Sequence, residues 1–461
     1  MPTRETFSEP VLKTAPLNVL DELYLNLDRR DEPWSVHLEI RVEGRIDAAR
    51  LRDAVRRAAL VHPMARARLA YARATDVRYR WEIAEELAGV DLEEVNCRRS
   101  GDLAAARERL LSRMPDLDLP GPFCLLLAHE RRGDALVMNL HHAAGDGLGA
   151  LRLMGSIARA YAGDEDPPEA VDALEVRDVS AIAGSASLRE RVTRGRAAID
   201  YLTRGVSTPT RLAPQAPSDR PGYGFELVSL EPAELARIGE LRGGEATVND
   251  VLLAALAVAV RRWNSRHGAR TGWVYVMMPI NLRPPEWRFE VLGNFASYVS
   301  VRFSSDDLKS LQTAIGAAAA STRRIKDDGI AGLVVDLFAL PSALPTVIKQ
   351  RMQRLIPLTG NVIVDTAALS NLGRIPPAPG FGDAGAVQGV WFSPPARMPL
   401  GASIGAATLD GRLFLTLRYR HAMFDAQAAR AFLQTLTGAL TSRPRRRRAV
   451  PTARRRRSPT S

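Results

Sequence analysis

Two adjacent histidines followed by an aspartate and a glycine, in the stretch Leu140-His141-His142-Ala143-Ala144-Gly145-Asp146-Gly147, are the residues whose types and spacing best suit chemistry. An imidazole with its unperturbed pKa of about 6.5 is largely neutral at pH 7 and can accept a proton. Consecutive side chains of a strand point to opposite faces, so one histidine looks into the local packing and the other faces away from it. If a groove runs along that side, the second histidine is a ready general base. Asp146, past a glycine, is close enough to fix the turn. The three side chains could also be metal ligands, but neighbouring strand side chains diverge, which makes a shared ion awkward and leaves no metal expected. His37, His62, His129, His267 and His421 stand alone among apolar or loop residues and read as structural.

The elements around the motif place it on a strand-to-helix turn, where enzymes often put chemistry. Ala135 to Met138 is a short apolar run that reads as a buried strand, and Leu148 to about Tyr161 has helical spacing. Upstream, a capped short helix is expected over Ala15 to Tyr24, a half-buried strand over Val36 to Val42, and a helix over Asp47 to Leu60 that stops before His62-Pro63. A strand over Tyr79 to Ile83, a helix over Leu103 to Met114, and strands Phe123 to His129 and Ala135 to Leu140 paired around the Arg131-to-Asp134 turn complete this half. Downstream, Ser187 to Leu202 reads as helix, and residues 207–222, with four prolines, can sustain neither helix nor central strand. The second half then offers a strand at Phe225 to Leu230 and a short helix at Pro232 to Leu241. The capping box Thr247-Val248-Asn249-Asp250 follows, before an apolar helix to Trp263. Strands Trp273 to Met278, Gly293 to Val301 and Asn361 to Leu369, a helix Leu308 to Lys326, and a closing strand and helix (Leu413 to Arg418, Ala426 to Leu440) follow. This alternation indicates mixed sheets with packed helices, an α/β (α+β) architecture.

A chain of 461 residues, 46% of them hydrophobic, can bury a large core, divided into two or three domains. The expected division is 1–206, a Pro-rich linker 207–222, 223–442, and a tail 443–461. The net charge of +11 resembles a nucleic-acid signature until it is located: the tail holds nine arginines and no acid, which leaves the body at +2. No specific nucleic-acid binding is therefore expected, and the tail reads as disordered, able to touch an acidic partner or a membrane surface. Cys97 and Cys124 lack metal or disulfide spacing, which favours the cytoplasm. Met1 to Pro16 has no apolar core suited to a signal peptide, and the cleanest apolar run, Val251 to Val260, stops at Arg261-Arg262, too short to span a bilayer. The expectation is a soluble or at most peripheral protein.

With the whole chain in view, His141-His142-Ala143-Ala144-Gly145-Asp146-Gly147 resembles the His-His-x-x-x-Asp-Gly motif of the coenzyme A-dependent acyltransferase superfamily, which includes chloramphenicol acetyltransferase, condensation domains and wax ester synthases. Thr247 to Asp250, Pro279-Ile280-Asn281-Leu282-Arg283-Pro284, Leu292-Gly293-Asn294-Phe295 and Ser370-Asn371-Leu372-Gly373 look like the family's later motifs, in order. The resemblance covers about residues 15 to 440 and implies two chloramphenicol-acetyltransferase-like lobes in a V around a central tunnel. It makes His142 the catalytic base beside His141, Asp146 a structural anion paired with Arg283, and Gly147 a point of close backbone approach whose amide helps hold an oxyanion. Asn249, Asn281, Arg283, Ser370 and Asn371 become candidates to line or brace the substrate path. No bound cofactor is implied; the co-substrate would be an acyl thioester of coenzyme A or of an acyl carrier protein, and the acceptor a small molecule. Leu17-Asn18-Val19-Leu20-Asp21 resembles the wax-ester-synthase type, whereas Ser370-Asn371 lacks the Val-Pro-Gly-Pro usual after it there, and Gly293-x-Phe295 is similar to condensation domains. The expected reaction is O-acyl transfer. The alternatives are stand-alone amide-forming condensation and a catalytically silent carrier-docking domain.

Overall fold

The computed structural model describes residues 11–167, 171–184, 187, 189, 208–339, 341–352 and 364–441. Apart from Ser187 and Arg189, the expected helix at Ser187 to Leu202 lies outside these residues, as does the arginine tail. Fourteen strands are described: β1 Val11–Pro16, β2 Ser35–Val42, β3 Ala67–Leu69, β4 Arg80–Ala84, β5 Leu92–Asn96, β6 Phe123–His129, β7 Asp134–His141, β8 Tyr223–Leu230, β9 Val274–Asn281, β10 Ala296–Phe303, β11 Ala367–Arg374, β12 Val387–Ser393, β13 Ala402–Leu409 and β14 Arg412–Arg420. The helices are α1 Val19–Leu27, α2 Ala48–Val61, α3 Asp102–Leu111, α4 Gly147–Ala162, α5 Val179–Ala183, α6 Pro232–Leu241, α7 Val248–Arg266, α8 Leu311–Asp327, α9 Ile330–Ala339, α10 Thr346–Met352 and α11 Ala426–Thr441.

Two large sheets dominate, in the order β12-β2-β7-β6-β5 and β10-β9-β11-β13-β14-β8, beside a small β1-β4-β3 sheet. Helices α2 and α4 cover one face of the first sheet, and α7, α8 and α11 cover the outer face of the second. The inner faces pack on each other through a core of Leu126, Val137, Tyr223, Phe225 and Ala368. That packing explains why β2, expected to be half-buried, is buried on both sides: of its alternate residues, His37 packs edge-on to Phe225 of β8 and bonds Ser393 of the neighbouring β12, and Glu39 is held by Arg107 of α3. The β6–β7 hairpin forms as its turn predicts, with Gly133 at φ +77°. A Cβ at Gly133 would lie 2.0 Å from the Val42 carbonyl oxygen, so only glycine fits.

Where the expectations were displaced, local chemistry explains it. Helix α1 starts at Val19, because Asn18 accepts the amides of Leu20 and Asp21 as its cap and Ala15-Pro16 pair with β4. Ser370 and Asn371 lie within β11, in parallel pairing with Gly405 and Ala406, and not in a turn after it. The proline-rich segment is strapped to the second half: Ala213 donates its amide to Asn264 and accepts from the Trp263 indole, and Gln215 bonds to Met423. The division at 207–222 separates the sequence but not the packing, because β12 of the second half pairs antiparallel with β2 and completes the sheet that carries the motif.

Candidate functional site

The motif sits where β7 ends and α4 begins. Strand β7 is buried at every residue, and its last residue, His141, is followed by a turn that Asp146 closes by capping α4 through the Gly149 amide at 3.0 Å. The two histidines diverge as adjacent strand residues must. His141 approaches Asp28 Oδ2 with Nε2 at 3.2 Å and accepts the Ala143 amide on Nδ1 at 3.1 Å, which assigns its proton to Nε2 and commits the ring to bracing the turn. His142 donates its amide to the Trp34 carbonyl and stacks its ring on Tyr24, centroids 4.1 Å apart. Among the described residues its buried Nδ1 has no hydrogen-bond partner, and the residue is 8% exposed. Burial pushes its pKa down to about 4, an effect only partly offset by its own backbone carbonyl and the Asp146 charge. At neutral pH the ring is an uncharged acceptor.

Asp146 is the best-satisfied charge in the site. Arg283 holds it in a fork, Nη1 to Oδ2 at 2.7 Å and Nη2 to Oδ1 at 3.0 Å, and the Phe295 amide donates to Oδ2 at 2.9 Å. Burial favours the protonated acid, but Arg283 together with the Gly149 and Phe295 amides outweighs it and holds the carboxyl below its ordinary range. Arg283 is 5% exposed, donates further from its two Nη atoms to Asn281 Oδ1 and to the Val291 and Gly293 carbonyls, and lies over the Phe295 ring, while its buried Nε has no partner among the described residues. Arg283 and Asn281, considered above as substrate contacts, are therefore engaged in holding Asp146. Gly147 has a packing reason as well: a Cβ there would lie 2.6 Å from the Phe392 ring of β12 and 2.8 Å from Leu372 of β11.

Of the other candidates, Asn249 on the first turn of α7 and Asn371 on β11 face each other at 3.5 Å, and Asn249 also donates to Met278 Sδ at 2.9 Å. Asn371 accepts the Gly373 amide, and Ser370 is buried beside it. Strand β11 thus links this pair, through Leu372, to Gly147. Sequence reasoning missed Tyr24 and Trp34, which pack against His142 or its backbone from outside every motif. The signal available for Tyr24 was its place on α1, whose cap Asn18 also bonds the Asn294 carbonyl at 3.3 Å; the Tyr24 hydroxyl reaches the Ala296 carbonyl at 2.9 Å. Neither cysteine is prepared as a nucleophile: burial pushes Cys124 up to about 12 and raises Cys97.

Comparison with known proteins gives this geometry a context. The family model described as the condensation domain matches residues 23–334. An uncharacterised protein of Mycobacterium tuberculosis is 37% identical over 398 residues, 85% of this chain and 91% of its own length. Another protein of that organism, provisionally named a diacylglycerol O-acyltransferase, is 31% identical over 237 residues, 46% of this chain and 49% of its own. Among solved structures, the first condensation domain of the calcium-dependent antibiotic synthetase has a TM-score of 0.68 at 17% identity, covering 93% of this chain and 97% of that one. The wax ester synthase/diacylglycerol acyltransferase of Marinobacter aquaeolei has a TM-score of 0.61 at 18% identity, covering 92% and 98%.

Proposed function

This chain belongs to the condensation-domain family, and from that premise we propose that it transfers an acyl group from a thioester, carried by coenzyme A or a carrier protein, to the hydroxyl of a small acceptor, with His142 as general base. The observation that carries this reading is the contrast within the motif: His141 is tied at both ring nitrogens, whereas the His142 ring is neutral and its buried Nδ1 has no partner among the described residues. In the proposed reaction Nε2 takes the hydroxyl proton as the oxygen attacks the thioester carbonyl. The tetrahedral intermediate collapses, the C–S bond breaks, and the thiolate recovers the proton from the imidazolium, so ester and thiol are formed in balance. In this reading the Gly147 amide, at the positive end of the α4 dipole, stabilises the oxyanion, the Gly149 amide being taken by Asp146. Asp146, locked by Arg283, supplies a fixed negative charge that favours the transient imidazolium. The raised thiol pKa values of Cys97 and Cys124 favour direct transfer over an acyl-enzyme.

Hydroxyl acceptance is supported by the partial likeness to a protein named for diacylglycerol O-acylation and by the resemblance of Leu17 to Asp21 to the wax-ester-synthase type. The extent of the condensation-domain match favours a second reading, amide formation on an amine acceptor. A screen of acyl-CoA donors against alcohols and amines with mass-spectrometric detection separates them: an ester product supports the first and an amide the second. His142→Ala should lower turnover by about 10²-fold or more while the circular dichroism spectrum is retained. Wild-type-like turnover in that variant would sink the assignment of the base.

A further inference from the structure

Among the described residues, Leu60, Leu119 and Trp273 are scattered exposed apolar side chains, but Tyr71, Val77, Leu337, Leu344 and Ile348 are not scattered. They belong to two segments, the loop between β3 and β4 and the α9–α10 stretch, that are bonded to each other. The Thr346 amide donates to the Asp76 carbonyl at 2.8 Å, its hydroxyl to the Arg73 carbonyl at 2.8 Å, and Lys349 Nζ to the Val77 carbonyl at 2.7 Å. Lys349, buried, also reaches Glu22 of α1 at 2.6 Å, so the patch rests on a fixed body and not on a free loop. Tyr71 is 90% exposed. Arg73, Arg78, Arg80 and Arg351 of the same stretches are exposed, and of the two acids in residues 71–80 and 330–352, Asp76 accepts the Arg73 amide and Asp336 directly precedes Leu337 on α9.

Apolar side chains interleaved with guanidinium groups suit one surface in particular. A protein partner would have to supply a carboxylate at the fixed position of each guanidinium group, whereas a leaflet of anionic lipid offers phosphates all along the level of the arginines and hydrocarbon just beneath. We propose that this face seats the protein on an anionic lipid surface, with Tyr71, Val77, Leu337, Leu344 and Ile348 entering the boundary between headgroups and acyl chains. No helix among the described residues is long and apolar enough to cross a membrane, so the contact lies on the surface. Both α9 and α10 pack on α1, which also carries Tyr24 against His142. The lipid-facing patch and the candidate base therefore share one supporting helix. Vesicle binding needs no turnover, so this inference stands or falls apart from the acyl-transfer reading.

The test is co-sedimentation of the full chain with vesicles of phosphatidylcholine alone or with roughly one third phosphatidylglycerol. Binding is expected to the anionic vesicles. The double substitution Leu344→Asp and Ile348→Asp should weaken it about tenfold or more, as should Arg73→Glu with Arg78→Glu, while Leu60→Asp leaves it unchanged. The arginine tail is present in every variant, so its own attraction to the vesicles cancels in the comparison. Tyr71→Asp, at a side chain with almost no packing to lose, is the second variant if the double one fails to fold. Patch variants that bind as tightly as wild type overturn the proposal. So does sedimentation evidence that the same side chains mediate a dimer, or their requirement for capture of an acidic carrier protein without any effect on vesicles.

Discussion

Burial decides the protonation of His142, and it does so at a cost that pH can reveal. Its folded pKa of about 4 lies below the unfolded value of about 6.5, so between these values the unfolded chain binds the extra proton. The stability associated with a neutral His142 is complete above pH 6.5 and is lost as pH falls towards 4, up to about 3 kcal/mol. Replacing the residue with glutamine removes that dependence. Denaturant unfolding at pH 7, 5.5 and 4.5 should therefore show His142→Gln gaining on the wild type as the solution is acidified. Parallel stability curves would mean that the imidazole is solvated. Asp146 is the opposite case, a buried charge whose partners are complete, so its protonation is resisted and its role is to hold the turn.

Helix α4 has its amino terminus clamped from three sides: by the Asp146 cap, by the Gly293-to-Phe295 segment that Asp146 also binds, and by Phe392 of β12. Gly147→Ala tests the last of these. A methyl at 2.6 Å from a buried ring forces Phe392 aside, and the expected loss is about 1 to 3 kcal/mol with a fall in activity. A crystal structure of that variant with Phe392 unmoved, or an unchanged melting temperature, would contradict the packing argument. The capping box of α7 formed as its sequence indicates, because a cap and its reciprocal acid act within four residues; the Asn18–Asp21 box of α1 is of the same kind but set the helix start three residues past the expected Ala15-Pro16.

The two halves of the molecule are joined by charge as well as by β12. Arg418 of β14 is fully buried, donates to the Ser35 carbonyl at 2.7 Å and lies 3.9 Å over the Tyr223 ring; burial lowers its pKa to about 10. Arg420 donates to the Asp31 and Gly222 carbonyls and approaches Glu32 at 3.4 Å. These contacts fix the 31–35 loop, and with it the Trp34 carbonyl that His142 uses. Arg418→Met should cost about 1 to 3 kcal/mol through the unpaired Ser35 carbonyl and lower turnover without touching any motif. Because the first sheet needs a strand from the second half, unfolding followed by tryptophan fluorescence and by circular dichroism should trace one coincident transition. Two separated transitions would show that the halves are independent.

Much of this was legible in the chain because the signals are local. The strand-to-helix turn of the motif, the divergence of His141 and His142, the β6–β7 hairpin and the capped starts of α2 and α7 each depend on residues within a few positions. The pairing of Asp146 with Arg283 was nameable only because the motifs around both residues carried a resemblance. Tertiary structure alone decided the rest. β13, Ala402–Leu409, is built largely of small residues and has little strand signature, yet Gly405 is required there because a Cβ would lie 1.7 Å from the Phe392 carbonyl oxygen. Nothing near Val387–Ser393 indicates that it would complete the other half's sheet. Tyr24 reaches His142 across more than a hundred residues, and the two long-range neighbours Asn249 and Asn371 meet only once α7 and β11 are packed. Local geometry specified the histidine pair; the distribution of burial and partners, which the sequence does not encode at short range, selected His142 from it.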